Sequence, residues 1–360
     1  MKVAVNARWL IPGKLEGTGI YTLKMLQQII LAFPEHIFFL LLDRKVEFDS
    51  LGLNFSNVNF IVVSPMARHP ILWKVWNDFS VPKKLKTIGA DLYWSPDGFP
   101  AQTPITQWIT IHDLNFEHHP EWIKRNVAKY YRKNIRRGAR IAAKLFTVSN
   151  WSKNDIVSSY GISKEKIIVT PNAPQREFSP GKSRFTKNYF CAVGAIAPRK
   201  NLITLIQAFD RWCSQNTEQK HTLKIAGTEL FKDLDFQYDL QRLNHSSRIE
   251  WLGRLNDNDL EMLYRGATAY CMPSAMEGFG IPLVEAMQCG TPIIASKNSA
   301  IIEVVGEAGL LLPTYNVDAW TEGLQKMISE YDHWSQLSLK RGDDFDWEKS
   351  AQPFIDALKE

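Results

Sequence analysis

Short runs of apolar, β-branched and aromatic residues alternate along this chain with longer stretches in which apolar residues recur every three or four positions. The first kind of run reads as a buried parallel strand and the second as a helix packed on one side. In the first half, strands are expected at residues 2–6, 37–42, 58–63, 92–94, 107–111, 144–148 and 166–169, with helices between most of them, for example 19–33 and 126–140. A polar, Pro-rich segment follows, Pro171-Asn172-Ala173-Pro174-Gln175 and then Ser179-Pro180-Gly181-Lys182, and it reads as a linker. A second series places strands at 189–194, 221–226, 248–252, 269–272 and 292–295, and an amphipathic stretch at 345–358 closes the chain. Strand–helix alternation of this kind builds parallel sheets from βαβ units. The expected fold is α/β, with two doubly wound, Rossmann-like domains facing across a crevice. Residues 1–175 form the first domain and 185–343 the second, and a helix within 344–360 crosses back to the first. Ligands of such sheets bind beyond the carboxyl ends of the strands.

The richest post-strand segment is Glu277-Gly278-Phe279-Gly280-Ile281-Pro282-Leu283-Val284-Glu285. A glycine-rich turn there follows an apolar run and opens a helix at 281–288, so backbone N–H groups point at whatever sits above the turn. The helix dipole favours an anion in that place, and glycine lets it come close to the main chain. The flanking carboxylates repel an anion, and their natural partners are hydroxyl groups. A phosphate joined to polyols fits both demands, which suggests a nucleotide sugar.

Composition narrows the class further. The 360 residues carry a formal net charge of +5 and an ordinary share of apolar residues, as in soluble globular proteins. The longest apolar runs are too short to span a bilayer, and the chain enters its first strand at once, leaving no room for a signal peptide. Cys191, Cys213, Cys271 and Cys289 are widely spaced in apolar surroundings and read as free, buried thiols of a reducing cytosol.

After the strand at 189–194 comes Ala195-Ile196-Ala197-Pro198-Arg199-Lys200-Asn201. With Pro198 as the first residue of a helix, Arg199 and Lys200 fall in the first turn, where the dipole disfavours cations. An anion such as a diphosphate between them explains the placement, and the alternative is a pair of solvated surface charges.

Together with Val148-Ser149, Trp151-Ser152-Lys153, Pro171-Asn172-Ala173, Ile225-Ala226-Gly227, Leu252-Gly253 and Cys289-Gly290-Thr291-Pro292, these blocks resemble the retaining glycosyltransferases of family 4, which have the GT-B fold. The resemblance spans nearly the whole chain. It implies a hexosyltransferase that retains anomeric configuration and uses neither metal nor cofactor. By the same resemblance Arg199 and Lys200 hold the donor diphosphate, Glu285 binds the ribose hydroxyls and Glu277 holds the transferred sugar. The amides of Gly278, Phe279, Gly280 and Ile281 lie where the family binds phosphate and sugar, and Gly17, Gly19, Gly194, Gly227 and Arg254 join the donor-binding set. Ala195 departs from the arginine many members carry there, so one phosphate contact is either missing or supplied by Arg199. Relatives with Pro-Arg-Lys-Asn often use GDP-mannose. A glycan or lipid-linked glycan is the expected acceptor, in polysaccharide or glycoconjugate synthesis. A non-catalytic nucleotide-sugar sensor and a GT-B-fold epimerase or phosphorylase are the alternatives.

His112-Asp113 ends a strand of the first half and matches a family His-Asp pair near the donor sugar. His112 suits hydrogen bonding to a sugar hydroxyl, and the alternative is a core histidine with Asp113 capping the next turn. Gly17-Thr18-Gly19 comes too late after the first strand for a dinucleotide fingerprint, so NAD binding is not expected. The acidic pairs Asp233-Leu234-Asp235 and Asp257-Asn258-Asp259 follow no convincing buried strand, and no catalytic metal is expected. The segment Lys124 to Lys144 holds nine Lys or Arg and no acid. Lys129, Arg132, Lys133, Arg136, Arg137, Arg140 and Lys144 share one helical face opposite Val127, Tyr131, Ile135 and Ala142. Such a helix suits an anionic membrane surface or an acceptor pyrophosphate, and the bland alternative is a solvated basic side. Trp73 and Trp76 with Lys83, Lys84 and Lys86 form a second apolar–basic candidate. No nucleic-acid reader motif accompanies them. The expected location is cytoplasmic, with peripheral attachment to the inner face of the membrane as an option.

Overall fold

The computed structural model describes residues 1–46, 51–67, 69–185, 188–228 and 240–360. The chain forms two compact units. One comprises Met1–Gln175 with Asp346–Glu360, the other Arg176–Phe345.

In the first unit the described strands are β1 (Lys2–Asn6), β2 (Ile37–Leu42), β3 (Val58–Val62), β4 (Leu92–Ser95), β5 (Thr106–Thr110), β6 (Lys144–Thr147) and β7 (Ile167–Val169). All pairings are parallel, in the order β3-β2-β1-β4-β5-β6-β7. Near-continuous apolar strands such as Ile-Phe-Phe-Leu-Leu-Leu in β2 are what a sheet covered on both faces requires. The order reverses direction between β1 and β4, which opens a switch point at their carboxyl ends. The terminal helix Trp347–Lys359 completes this unit. Its Phe354 packs against Trp94, Trp108 and Phe146, and the Trp347 indole N–H donates to the Pro174 carbonyl at 2.7 Å.

The second unit repeats the plan with β8 (Tyr189–Val193), β9 (Thr222–Ala226), β10 (Ile249–Gly253), β11 (Ala269–Met272), β12 (Ile293–Ser296) and β13 (Gly309–Leu312). Their order is β10-β9-β8-β11-β12-β13, so its switch point lies between β8 and β11. The helix Leu202–Gln215 buries Leu205, Ile206, Phe209 and Trp212 against this sheet together with Trp320 and Leu324. Truncating a buried tryptophan such as Trp212 typically costs about 3–5 kcal/mol, so this layer fixes the loops above it.

Several elements depart from the sequence-based expectations. Strand β13 had no counterpart among them. Pro198–Lys200 is a short 3₁₀ turn rather than the start of the helix, which begins at Leu202. Gly17 opens the helix Gly17–Ala32 instead of preceding it. The helix after β10 runs Asp257–Gly266, and Asn256 caps it, its side chain accepting from the Asp259 amide at 3.0 Å. The pair Asp233 and Asp235 lies outside the described residues. Trp76 is fully buried and Trp73 is partly buried, its indole donating to the Ala67 carbonyl, so these tryptophans are core groups rather than a surface patch. All four cysteines are free and buried.

Candidate functional site

The loops leaving β8, β11 and β12 are stitched into one assembly. Gly194 has φ 139°, and a Cβ there would stand 3.2 Å from Lys200 Cε. Gly227 has φ 155°, and a Cβ there would fall 1.8 Å from the Gly194 carbonyl oxygen. These two glycines thus let the Lys200 side chain lie across the strand ends. The 3₁₀ turn stops at Asn201, held at φ 48°, whose side-chain amide donates to the carbonyls of Pro273 (3.1 Å) and Thr314 (3.0 Å). Those bonds tie down a left-handed residue and prevent the helix from running through it. The Ala275 amide then donates to the Arg199 carbonyl at 2.7 Å, and the Glu277 amide to Ser299 Oγ at 3.0 Å.

This framework brings Arg199, Lys200 and Glu277 together. Lys200 Nζ lies 2.7 Å from Glu277 Oε1, and Arg199 Nη1 lies 2.9 Å from Oε2. Glu277 is only 7% exposed. Burial pushes its carboxyl up, but the charges of Arg199 and Lys200 more than reverse that and hold it at about 2. Burial also pulls the Lys200 ammonium below its ordinary value, with the Glu277 carboxylate opposing. Two cations face one anion here.

The turn beyond Glu277 ends at Gly280, in the left-handed region at φ 99°, and the helix Ile281–Gln288 starts there with Pro282 in its first turn. Phe279 is buried edge-on against Phe345 at 5.7 Å, which anchors the turn through its side chain. Gly278 lies between it and Glu277. One turn into the helix, Glu285 is also buried, and it has a different environment. Burial pushes its carboxyl up to about 7, against a 3.0 Å hydrogen bond donated by the Tyr264 hydroxyl. At neutral pH one glutamate of the pair is fully ionised and the other is half protonated. Arg254 is exposed just past β10.

The remaining predicted residues belong to the first unit. His112 Nε2 lies 2.8 Å from the Pro96 carbonyl, an acceptor, so Nε2 carries the proton and Nδ1 is left as an acceptor. Burial lowers the His112 pKa, so the ring is neutral, and the Tyr21 ring meets it edge-on at 4.9 Å. Asp113 accepts from the Asn115 amide at 3.0 Å, in keeping with a turn-capping role. Gly17 has open space where a Cβ would be, whereas one on Gly19 would come within 2.7 Å of the Trp9 carbonyl oxygen. Gly19 is therefore a packing glycine. Beside them, at the β1/β4 switch point, Arg8 Nε donates to Asp97 Oδ2 at 2.8 Å, both side chains 3% exposed. Asp97 also accepts from Trp9 Nε1, Asn6 Nδ2, Ser95 Oγ and the Phe99 amide.

Asn201, Ser299, Tyr264, Arg8 and Asp97 were not among the expected site residues. Asn201 stood in the quoted Pro-Arg-Lys-Asn block, and the others carried no local signal.

Two family models cover most of the chain. The one described as Glycosyltransferase Family 4 matches residues 36–174, and Glycosyl transferases group 1 matches residues 175–340. The chain belongs to glycosyltransferase family 4. Among its relatives, this family 4 chain is 28% identical over 265 residues to O-antigen chain mannosyltransferase B of Escherichia coli, covering 69% of each chain. It is 27% identical to O-antigen chain mannosyltransferase RfbU of Salmonella typhimurium, covering 78% of each. Sucrose-phosphate synthase from Thermosynechococcus elongatus has the same fold, with a TM-score of 0.78 at 16% identity over 99% of this chain and 98% of that one. The family 4 glycosyltransferase thus has the GT-B fold of two Rossmann-like domains.

Proposed function

We propose that this glycosyltransferase moves a mannosyl group from GDP-mannose to a hydroxyl of a glycan or lipid-linked glycan in polysaccharide synthesis, with retention of configuration and without a metal. The observation that carries this reading is the Arg199–Glu277–Lys200 cluster at the β8/β11 switch point, where two cations meet one buried carboxylate beside a helix start. An incoming diphosphate brings its own negative charge to Arg199 and Lys200. It competes with Glu277 for the cations and releases that carboxylate to accept hydrogen bonds from sugar hydroxyls. Glu285 in its ionised form accepts from the ribose hydroxyls. The O-antigen mannosyltransferase relatives support mannose as the sugar.

In the reaction, the bond from the anomeric carbon to the β-phosphate oxygen breaks. The acceptor oxygen bonds to the same face of that carbon, and its proton passes to the leaving phosphate. Arg199, Lys200 and the amides of Phe279, Gly280 and Ile281 stabilise the charge that develops on the diphosphate. In the first unit, neutral His112 presents Nδ1 as an acceptor, which suits a sugar hydroxyl. Neither Glu277 nor Glu285 acts as a nucleophile, so a second carboxylate is not required.

A panel of GDP-, UDP- and dTDP-sugars, scored for thermal stabilisation and for nucleoside-diphosphate release with glycan acceptors, tests the proposal. GDP-mannose is expected to stabilise the protein and to be turned over. Stabilisation with no release for any acceptor would instead make the protein a nucleotide-sugar sensor, and shifts with NAD(P) alone would refute the transferase.

A further inference from the structure

The helix Arg125–Ile141 does more than show a charged side to water. Between it and the segment running from Glu117 to Ile123 lies a groove of about 1210 Å³, lined by Arg125, Lys129, Arg132, Lys133 and Arg136 with Glu117 and Glu121. Five cations thus stand against two carboxylates. Two of the cations are held in place. Arg132 donates from Nε to Glu117 Oε2 at 3.0 Å and from Nη2 to the Glu117 carbonyl at 2.8 Å, and Arg136 Nη2 reaches Oε1 at 3.3 Å. The Tyr160 hydroxyl donates to the same oxygen at 2.9 Å, and the Arg136 guanidinium lies 5.3 Å from the Tyr160 ring centroid. Arg125, Lys129 and Lys133 are exposed, and among the described residues no carboxylate lies within ion-pair distance of them.

A merely solvated basic face needs no such arrangement. The Glu117 side chain is 9% exposed, and burying a carboxylate is costly for stability unless its partners repay it. Here it fixes two planar guanidiniums on one wall, while flexible, unpaired lysines line the same groove. Fixed guanidinium forks with adjacent ammonium groups suit tetrahedral oxyanions. Of the other cations expected on this face, Arg140 is exposed, and Lys144 lies beyond the helix, in β6. Arg137 is bound to Asp78 and Gln102, and Lys144 to Glu360 and the Ala357 carbonyl.

We propose that this groove is a second anion site, separate from the donor site, that binds a phosphate or diphosphate group of the kind carried by a lipid headgroup or a lipid-linked saccharide. It goes beyond the donor reading and uses none of its residues.

The test is made in the Lys200→Ala protein, so that the proposed donor site does not report. Inorganic pyrophosphate is titrated by calorimetry, and sedimentation is measured with phosphatidylcholine vesicles with and without phosphatidylglycerol. Saturable binding is expected, weakened at least about tenfold by Lys129→Glu with Lys133→Glu, since each cation near a phosphate adds to the attraction. The milder Lys129→Gln/Lys133→Gln pair should show a smaller loss. Binding of pyrophosphate alone supports a soluble phosphate ligand, and partition onto the anionic vesicles alone supports a lipid headgroup. The proposal is overturned if neither probe binds, or if the charge-reversed protein binds both as its parent does. Tighter binding of an oligothymidylate than of either phosphate probe would also overturn it. Failure here leaves the donor site untouched, because nucleotide-sugar binding is read separately in the unaltered protein.

Discussion

The two units present the same topological feature and fill it differently. At the β8/β11 switch point, Arg199 and Lys200 both converge on the Glu277 carboxylate. At the β1/β4 switch point, Arg8 meets Asp97 one to one, and four further donors saturate the carboxylate. Both clusters are buried, and both sit where doubly wound sheets leave a crevice. The first gathers two cations on one carboxylate and suits an anionic ligand. The second is balanced and suits a loop clamp. Topology decides where a ligand can sit, and the local charge count decides which kind.

The comparison predicts that damage to the two clusters separates stability from binding. Asp97→Ala leaves the Arg8 guanidinium buried without its partner, which typically costs about 3–5 kcal/mol, read as a lower denaturation midpoint. Nucleotide affinity should be retained below that midpoint. Parallel loss of both would make the β1/β4 cluster part of the binding machinery and blur the contrast. Glu277→Gln should act the other way. The fold persists, while turnover of the donor falls about 10²–10³-fold, the size expected when a preorganised charged contact to the reacting group is lost. A rate near that of the unaltered protein would remove Glu277 from the site.

The smallest effect concerns pH. Burial raises the Glu285 pKa to about 7, so between its unfolded value near 4.5 and 7 the folded state binds more protons than the unfolded one. Stability contributed through this group is present at low pH and is lost as pH rises across that window. Ribose hydroxyls favour the carboxylate, so nucleotide binding should release protons near pH 7 and weaken as pH falls below it. Calorimetry in buffers of different ionisation enthalpy measures that release. Glu285→Gln should abolish it, and an unchanged proton count in that variant would assign the titration elsewhere.

Much of the second site was legible in the sequence because its signals are local. Glycine before and proline within the first helical turn marked the helix at Ile281–Gln288, and strand Ala269–Met272 stood out as a short apolar run before the turn. What was not legible depends on partners distant in sequence. Asn201 takes its left-handed conformation from the carbonyls of Pro273 and Thr314, so the pattern Pro-Arg-Lys looked like a helix start. Asp97 draws donors from β1 and its loop, some ninety positions away, and no spacing rule predicts them. Glu117 carries no local signal, because its partners Arg132 and Arg136 lie 15 and 19 positions further on. Strand β13, Gly-Leu-Leu-Leu, is too short to separate from any other apolar run.

The central claim is that Arg199 and Lys200 are there to hold the diphosphate of the donor. Its most direct test is calorimetric titration of GDP-mannose, GDP and GMP into the unaltered protein and into Lys200→Ala. The account predicts that the substitution weakens GDP-mannose and GDP by at least about tenfold, a loss of about 1.4 kcal/mol, and leaves the weak binding of GMP nearly unchanged. Equal affinities of the two proteins for GDP would contradict it.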